Sequence, residues 1–482
     1  MNSLLKIIEL LSEIEKKEFI KFLQKKNKTS VEKNIELFVL LTKQLSQTTI
    51  IETLYGNLNK NAFHALCKRL QDSLIEFIAI KGFENENSAE QEIFKKLLAA
   101  RILLDHQLYH IAYKLLFKIE EKATVLELPT ILHEIYLTQL QFAHLYSKID
   151  FKDIQKKIKV NHTTLEKEMQ LSLFFADLKN KIKTDNFSNT SIEELLHSQN
   201  LHIEDSLTFK SLHQLFLILD LKGQLTTNYH STIPTLEKLY ALVNNKQHLH
   251  KRHIYYHLEI LQLLSYAHFR SRNFVTFKMY LDEFEKLLDD HPIFLKQFKE
   301  DLLLFKVYFL NFKGKATAAI ELLQTNNSFL PQLFLTTCYI QQNEIKTAYQ
   351  TFLGLNKTDA WYSKHFGEIW VIKKKVIELI LLIELDNFDV FNSRLIAFQK
   401  KYSKTIQLKE NKKVSLFIKL ITKYYLSNSK HDRLQVKEEL KQLDDLVNYK
   451  EDIFLICFYA WLKSKLENEN LYYLTLDLVN MK

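Results

Sequence analysis

The chain has 482 residues, 46% hydrophobic and 26% charged, with a formal net charge of +9, a mixture that folds rather than staying disordered. Only six glycines and four prolines occur, which leaves little material for hairpin-rich β architecture and points to an all-α chain. The glycines, Gly56, Gly82, Gly223, Gly314, Gly354 and Gly367, are too far apart for G-x-G-x-x-G or a P-loop, which excludes the standard phosphate-cradling folds.

In chain order, MNSLLKIIELLSEIEKKEFIKFL comes first, and its acidic residues fall where a signal peptide is uninterrupted and apolar. Capping-box patterns predict helix starts at Ser12 before Glu15, Thr49 before Glu52 and Ser88 before Gln91, where a hydroxyl satisfies an orphan N–H and the longer side chain bonds back. Between Ala62 and Ile80, Phe63, Leu66, Leu70, Leu74, Phe77 and Ile78 form one apolar stripe at helical spacing. The segment TTIIETLYGNLNKNAFHALCKRL predicts a helix ending at Tyr55, a turn over Gly56–Asn59 and a second helix from Lys60. Such a helix-turn-helix would expose Lys60, Asn61, His64, Lys68 and Arg69, side chains suited to a DNA groove. Any all-α chain offers similar geometry by chance, and residues 1–88 are nearly charge-balanced. We read 1–88 as an N-terminal helical cap or small helical domain and 89–482 as a helical-repeat region. About twenty helices, joined by short polar links such as KNKTS, TDNFSNT and LQTNNS, make successive helices antiparallel neighbours.

A phrase recurs four times: an apolar helix, a short polar turn, then a helix opening with small or aromatic residues. The copies begin at Leu97, Leu261, Phe305 and Pro331. With Leu335, Tyr339, Ala348 and Phe352 in the last copy, and Ala100, Leu103 and Ala112 in the first, the chain resembles the tetratricopeptide-repeat family. Phe277 stands where that pattern has alanine, and Ala319 to Ala348 is 29 residues whereas Phe277 to Ala319 is 42, so the period is uneven. The resemblance implies antiparallel hairpins stacked as an α-solenoid that binds proteins or peptides.

His250, His253 and His257 are spaced to share one helical face. Lys251 and Arg252 between them disfavour a divalent cation and no H-E-x-x-H is present, so the bland reading is a solvated or groove-lining face rather than a metal site. The acidic pairs Glu120–Glu121, Asp289–Asp290 and Glu300–Asp301 read as solvated surface, since adjacent residues do not share a face. Three scattered cysteines, Cys67, Cys338 and Cys457, form no C-x-x-C and read as small apolar residues in a reducing, cytoplasmic setting. No 18-residue apolar run occurs, so no transmembrane segment is expected.

Positive charge gathers late in the chain. Lys373, Lys374 and Lys375 precede a lysine-rich stretch from Lys401 to Tyr425, where Lys412, Lys419 and Lys423 share a face. Such a patch can meet an anionic partner. Arginine is scarce there, however, and a Lys/Asn/Ile-biased bacterial genome writes lysine onto any solvated face. No catalytic, cofactor or metal residue is read from the sequence. The expectation is a non-enzymatic interaction scaffold with no cofactor, engaging a protein or peptide on a face that includes His250, His253, His257 and Tyr339. The alternative is a transcriptional regulator with an N-terminal helix-turn-helix and a helical-repeat sensor.

Overall fold

The computed structural model describes residues 4–5, 7–8, 11, 13–26, 31–43, 45–56, 60–85, 89–146, 150–183, 207–226, 229–407, 412–427, 429–444 and 453–480. Among them are 24 α-helices, three short 3₁₀ turns and no strand. None of these helices is long and apolar enough to cross a membrane. The helix starts expected at Ser12 and Ser88 lie outside the described residues. The chain divides into two compact units, Met1–Asn161 and His162–Lys482.

The first unit contains α1 (Glu13–Lys26), α2 (Val31–Thr42), α3 (Gln47–Tyr55), α4 (Lys60–Asn85), α5 (Ala89–Asp105), α6 (Tyr109–Val125) and α7 (Pro129–Gln141), and α8 (Phe151–Lys183) begins in it. Residues 4–77 enclose their own core, centred on Phe19 in edge contact with Phe38 at 4.9 Å and Phe77 at 5.2 Å. The boundary expected at residue 88 follows that core and falls inside the first unit. Helix α3 starts earlier than the capping box suggested. Ser46 is its N-cap, accepting from the Thr49 amide at 3.3 Å, and Gly56 ends it in the left-handed conformation at φ +66°.

The second unit contains α9 (Phe209–Thr226), α10 (Ile233–Asn244), α11 (Gln247–His250), α12 (Ile254–Arg270), α13 (Phe274–Asp290), α14 (Leu295–Phe312), α15 (Ala316–Gln324), α16 (Phe329–Gln341) and α17 (Ile345–Leu353). It continues with α18 (Asp359–Phe366), α19 (Glu368–Glu384), α20 (Phe388–Gln407), α21 (Lys412–Leu426), α22 (Lys430–Asp444), α23 (Ile453–Glu467) and α24 (Leu471–Asn480).

One turn makes most of the hairpins. A residue at positive φ follows each helix: Gln107, Glu127, Arg272, Gly314, Asn343 and Asp386. Its amide bonds back three residues and the next amide bonds back five, as when Arg272 reaches the Phe269 carbonyl and Asn273 the His268 carbonyl. This is a Schellman motif, and it satisfies carbonyls that a helix end would otherwise orphan. The residue after the left-handed one immediately precedes the next helix, so the chain reverses in three residues. A chain short of glycine thus places ordinary side chains in a conformation that costs roughly 1–2 kcal/mol each.

In the second unit the hairpins form two rows. The inner row runs α9, α12, α14, α16, α19, α21, α23, each touching the next, and the outer helices pack against it. Neighbouring inner helices are parallel. Tyr255 meets Phe298 near one end of the α12–α14 pair, and Phe269 stacks on Tyr308 at 4.3 Å near the other. Leu335, Tyr339, Ala348 and Phe352, the positions that carried the repeat resemblance in the sequence, are all buried. Phe277, at the position where alanine was expected, is also fully buried and packs against Phe269 and Phe305.

The row then closes on itself, because α23 returns to touch α12. Phe454 meets Phe269 at 6.2 Å, the Arg272 guanidinium donates to the Leu478 carbonyl at 2.9 Å, and the Tyr472 hydroxyl donates to the Asn311 carbonyl at 2.7 Å. Helix α23 is buried on most sides, through Ile453, Ile456, Cys457, Tyr459, Ala460, Trp461 and Leu462. That is what an all-round apolar sequence requires of a helix in water.

Candidate functional site

The inner helices of the second unit surround a cavity of about 400 Å³. Helix α9 contributes Asp220 and Gln224; α12 contributes Gln262, Tyr266 and Arg270; α14 contributes Asp301, Phe305 and Tyr308. Across from them stand Phe334 and Thr337 of α16, Phe366 of α18, Trp370 and Lys373 of α19, and Phe454, Cys457 and Phe458 of α23. The wall is therefore mostly apolar, aromatic rings together with leucine and isoleucine side chains such as Leu333 and Ile369, with polar groups at separate places.

Arg270 is only 4% exposed and is held on every side. Its guanidinium lies over the rings of Tyr229 at 4.9 Å, Phe454 at 5.0 Å and Tyr266 at 5.3 Å, and it donates to the Tyr266 hydroxyl at 2.7 Å. Aromatic faces stabilise a desolvated cation, and a delocalised guanidinium suits them better than an ammonium does. Tyr229 lies flat on Gly223, where a Cβ would stand 2.7 Å from the ring. This is why glycine interrupts an otherwise good helix at that point. Tyr229 then donates to Asp220 at 3.3 Å, and Gln224 donates to the same carboxylate at 2.7 Å.

Burial pushes the Asp220 carboxyl up to about 6, against the lowering pull of its two donors and of the more distant Arg270 charge. Burial likewise raises Asp301 to about 6; a hydrogen bond from Gln262 opposes the rise and the neighbouring Glu300 adds to it. Both carboxylates are partly exposed to the cavity rather than sealed in apolar packing. They are thus poised to hold or lose a proton near neutral pH, or to pair with a cation brought by a ligand. The Lys373 ammonium lies 4.7 Å from the Phe454 ring centre.

The residues singled out from sequence fall at several places. His250, His253 and His257 do not share a helix. His250 ends α11, Lys251–His253 form a turn, and His257 lies in the first turn of α12. His250 contacts the Val243 carbonyl at 2.9 Å, His253 stacks on Phe209 at 5.3 Å, and the His250 and His257 rings are 4.1 Å apart. Burial, then the charge of His250, depresses His257 to about 3, so its ring is neutral. Tyr339 is buried, its hydroxyl accepting from Gln324 at 2.8 Å. These four pack the hairpins, whereas the cavity wall is built from other residues.

Lys373, Lys374 and Lys375 point three ways, as consecutive helical residues must. Lys373 faces the cavity. Lys374 is buried over the rings of Phe352 and Tyr362, which depresses its basicity through desolvation. Lys375 pairs with Glu378 at 2.9 Å and Asp359 at 3.6 Å. Lys419 is exposed, Lys423 pairs with Glu439 at 2.6 Å, and the Lys412 side chain lies outside the described residues.

Two acidic residues read as solvated surface turn out otherwise. Glu120 is buried, accepting from Gln139 at 2.8 Å and paired with Lys157 at 2.8 Å. Asp301 lines the cavity. In the first unit, Lys60, Asn61, His64, Lys68 and Arg69 are all exposed along α4.

No protein-family model, no curated protein and no solved structure matches the chain.

Proposed function

We propose that this chain is a non-enzymatic, tetratricopeptide-like interaction protein that holds a short peptide in the cavity ringed by the inner helices of its second unit. The cavity itself carries the reading. Its volume of about 400 Å³ falls in the range of ligand pockets, and its wall joins apolar area to a few separate polar groups. Rings such as Phe305, Phe334 and Trp370 suit apolar side chains, while Gln262 and Thr337 offer hydrogen bonds to a peptide backbone. A reducing, cytoplasmic setting accords with the three cysteines, which are buried free thiols.

The test is calorimetric titration with a pool of free tripeptides, each with a central phenylalanine, against the native protein and Thr337→Trp. An indole at position 337 fills cavity space while leaving the rest of α16 in place. Binding to the native protein that is at least tenfold weaker in the variant is the expected result. Binding to neither, or equally to both, rejects the cavity as the site.

A second reading, a regulator that contacts DNA through its first unit, is favoured by the exposure of Lys60, Asn61, His64, Lys68 and Arg69 on one helix. It predicts duplex binding that weakens steeply with salt and is lost on reversing both Lys68 and Arg69 to glutamate. Absence of binding at low salt excludes it.

A further inference from the structure

Two helices line the cavity side by side, each along a single face at three- and four-residue spacing. Helix α12 presents Gln262, Tyr266 and Arg270, and α14 presents Asp301, Phe305 and Tyr308. Gln262 donates to Asp301, so the carboxylate marks one level of the cavity. Arg270 lies eight residues further along α12, about 12 Å along the axis at 1.5 Å per residue. Lys373 belongs to that far level, since its ammonium and the Arg270 guanidinium both lie on the Phe454 ring, at 4.7 and 5.0 Å. The side chains that act on Asp301 are Gln262, a neutral donor, and Glu300, a charge of its own sign. Among the described residues no lysine, arginine or histidine pairs with Asp301.

We propose that the ligand is a peptide held by its free amino terminus, the α-ammonium paired with Asp301, a reading that rests on the cavity being the peptide site. A carboxylate buried without a counter-charge is costly, and a ligand ammonium supplies the missing charge where water is scarce. Phe305, one turn from Asp301 on the same face, adds aromatic surface that favours a cation. A carboxyl terminus at this level would meet Asp301 and Glu300 together. That sets the direction of the chain, amino end at Asp301 and later residues toward Arg270. A lysine side chain carries the same charge, but on a long flexible stem that holds its backbone away from Gln262 and Thr337.

The experiment is calorimetry on the full chain with leucyl-phenylalanyl-leucine amide, its amino end free or acetylated. Phenethylamine supplies an ammonium without a peptide, and acetyl-leucyl-lysyl-leucine amide supplies one on a lysine side chain. Acetylation should weaken binding to the native protein about tenfold, the loss of one charged hydrogen bond. Phenethylamine and the lysine peptide should each bind about tenfold more weakly than the free-ended peptide. In Asp301→Asn the free and acetylated peptides should bind alike. An acetyl effect that persists in Asp301→Asn overturns the pairing with that carboxylate. Phenethylamine or the lysine peptide binding as tightly as the free-ended peptide overturns the amino terminus as the source of the ammonium. Binding that Thr337→Trp abolishes but that ignores the acetyl cap overturns the ammonium and leaves the cavity reading standing. Binding of no compound to the native protein overturns both.

Discussion

Replacing Phe269 by alanine should destabilise the second unit by about 3–5 kcal/mol, the usual cost of deleting a buried phenyl ring. Phe269 is fully buried and sits where four helices meet. It stacks on Tyr308 of α14 at 4.3 Å, meets Phe312 of α14 and Phe277 of α13 at a tilt at 5.9 and 5.6 Å, and meets Phe454 of α23 edge-on at 6.2 Å. Neighbouring rings from separate backbones cannot all move inward, so the site should collapse poorly and the loss should fall toward the upper end. All three tryptophans, Trp361, Trp370 and Trp461, lie in the second unit. Denaturant unfolding followed by tryptophan fluorescence therefore reads that unit alone. An unchanged fluorescence midpoint would falsify the four-helix joint.

The second large effect concerns charge. Asp220 and Asp301 each have a folded pKa of about 6 against an ordinary value of 3.8. The folded chain therefore holds these protons more tightly than the unfolded chain does. Stability from these two groups should be lowest and flat above about pH 6, rise as pH falls toward about 4, and level off below. Asp301→Asn removes one buried charge while keeping a side chain that Gln262 can hydrogen-bond. It should stabilise the second unit at pH 7.5 by about 1–2 kcal/mol, less than the full shift implies because cavity water screens the carboxylate. The gain should vanish near pH 4. Fluorescence midpoints of native and variant protein at the two pH values decide the matter. A variant less stable than the native protein at pH 7.5 would show that the carboxylate is not strained.

The helical character of the chain was legible because it is local. Missing glycine and proline, and stripes such as Phe63, Leu66, Leu70 and Leu74, act within a few turns, and those four side chains are all buried. The packing positions of the α16–α17 hairpin could be read for the same reason: Tyr339 and Ala348 lie close in sequence, and both are buried. The cavity could not be read. Asp220, Arg270, Asp301, Trp370, Lys373 and Phe454 come from five helices with no shared motif, and only the closing of the inner row brings them together. Two signals also misled. The histidine spacing assumed an unbroken helix, whereas the chain turns at Lys251–His253. The run Lys373–Lys375 looked like one patch, although successive residues on a helix diverge by about 100°. Gly223 was the one pointer available, since an isolated glycine inside an apolar helix usually marks close packing.

Closing the inner row also changes how the second unit can come apart. In an open stack of hairpins each repeat leans only on its neighbours, so the ends fray first and opening spreads inward. Between α12 and α23 the second unit has no such end. Loosening any one hairpin there leaves its neighbours braced from the other direction around the ring. Amide protons on α14, α16 and α19 are then protected by one shared opening event rather than by a gradient. That event must break the union of Phe454 with Phe269, whose partners are 185 residues apart in sequence. A chain of nearest-neighbour contacts thereby acquires one long-range, slow-forming seam. The cavity is complete only while that seam holds.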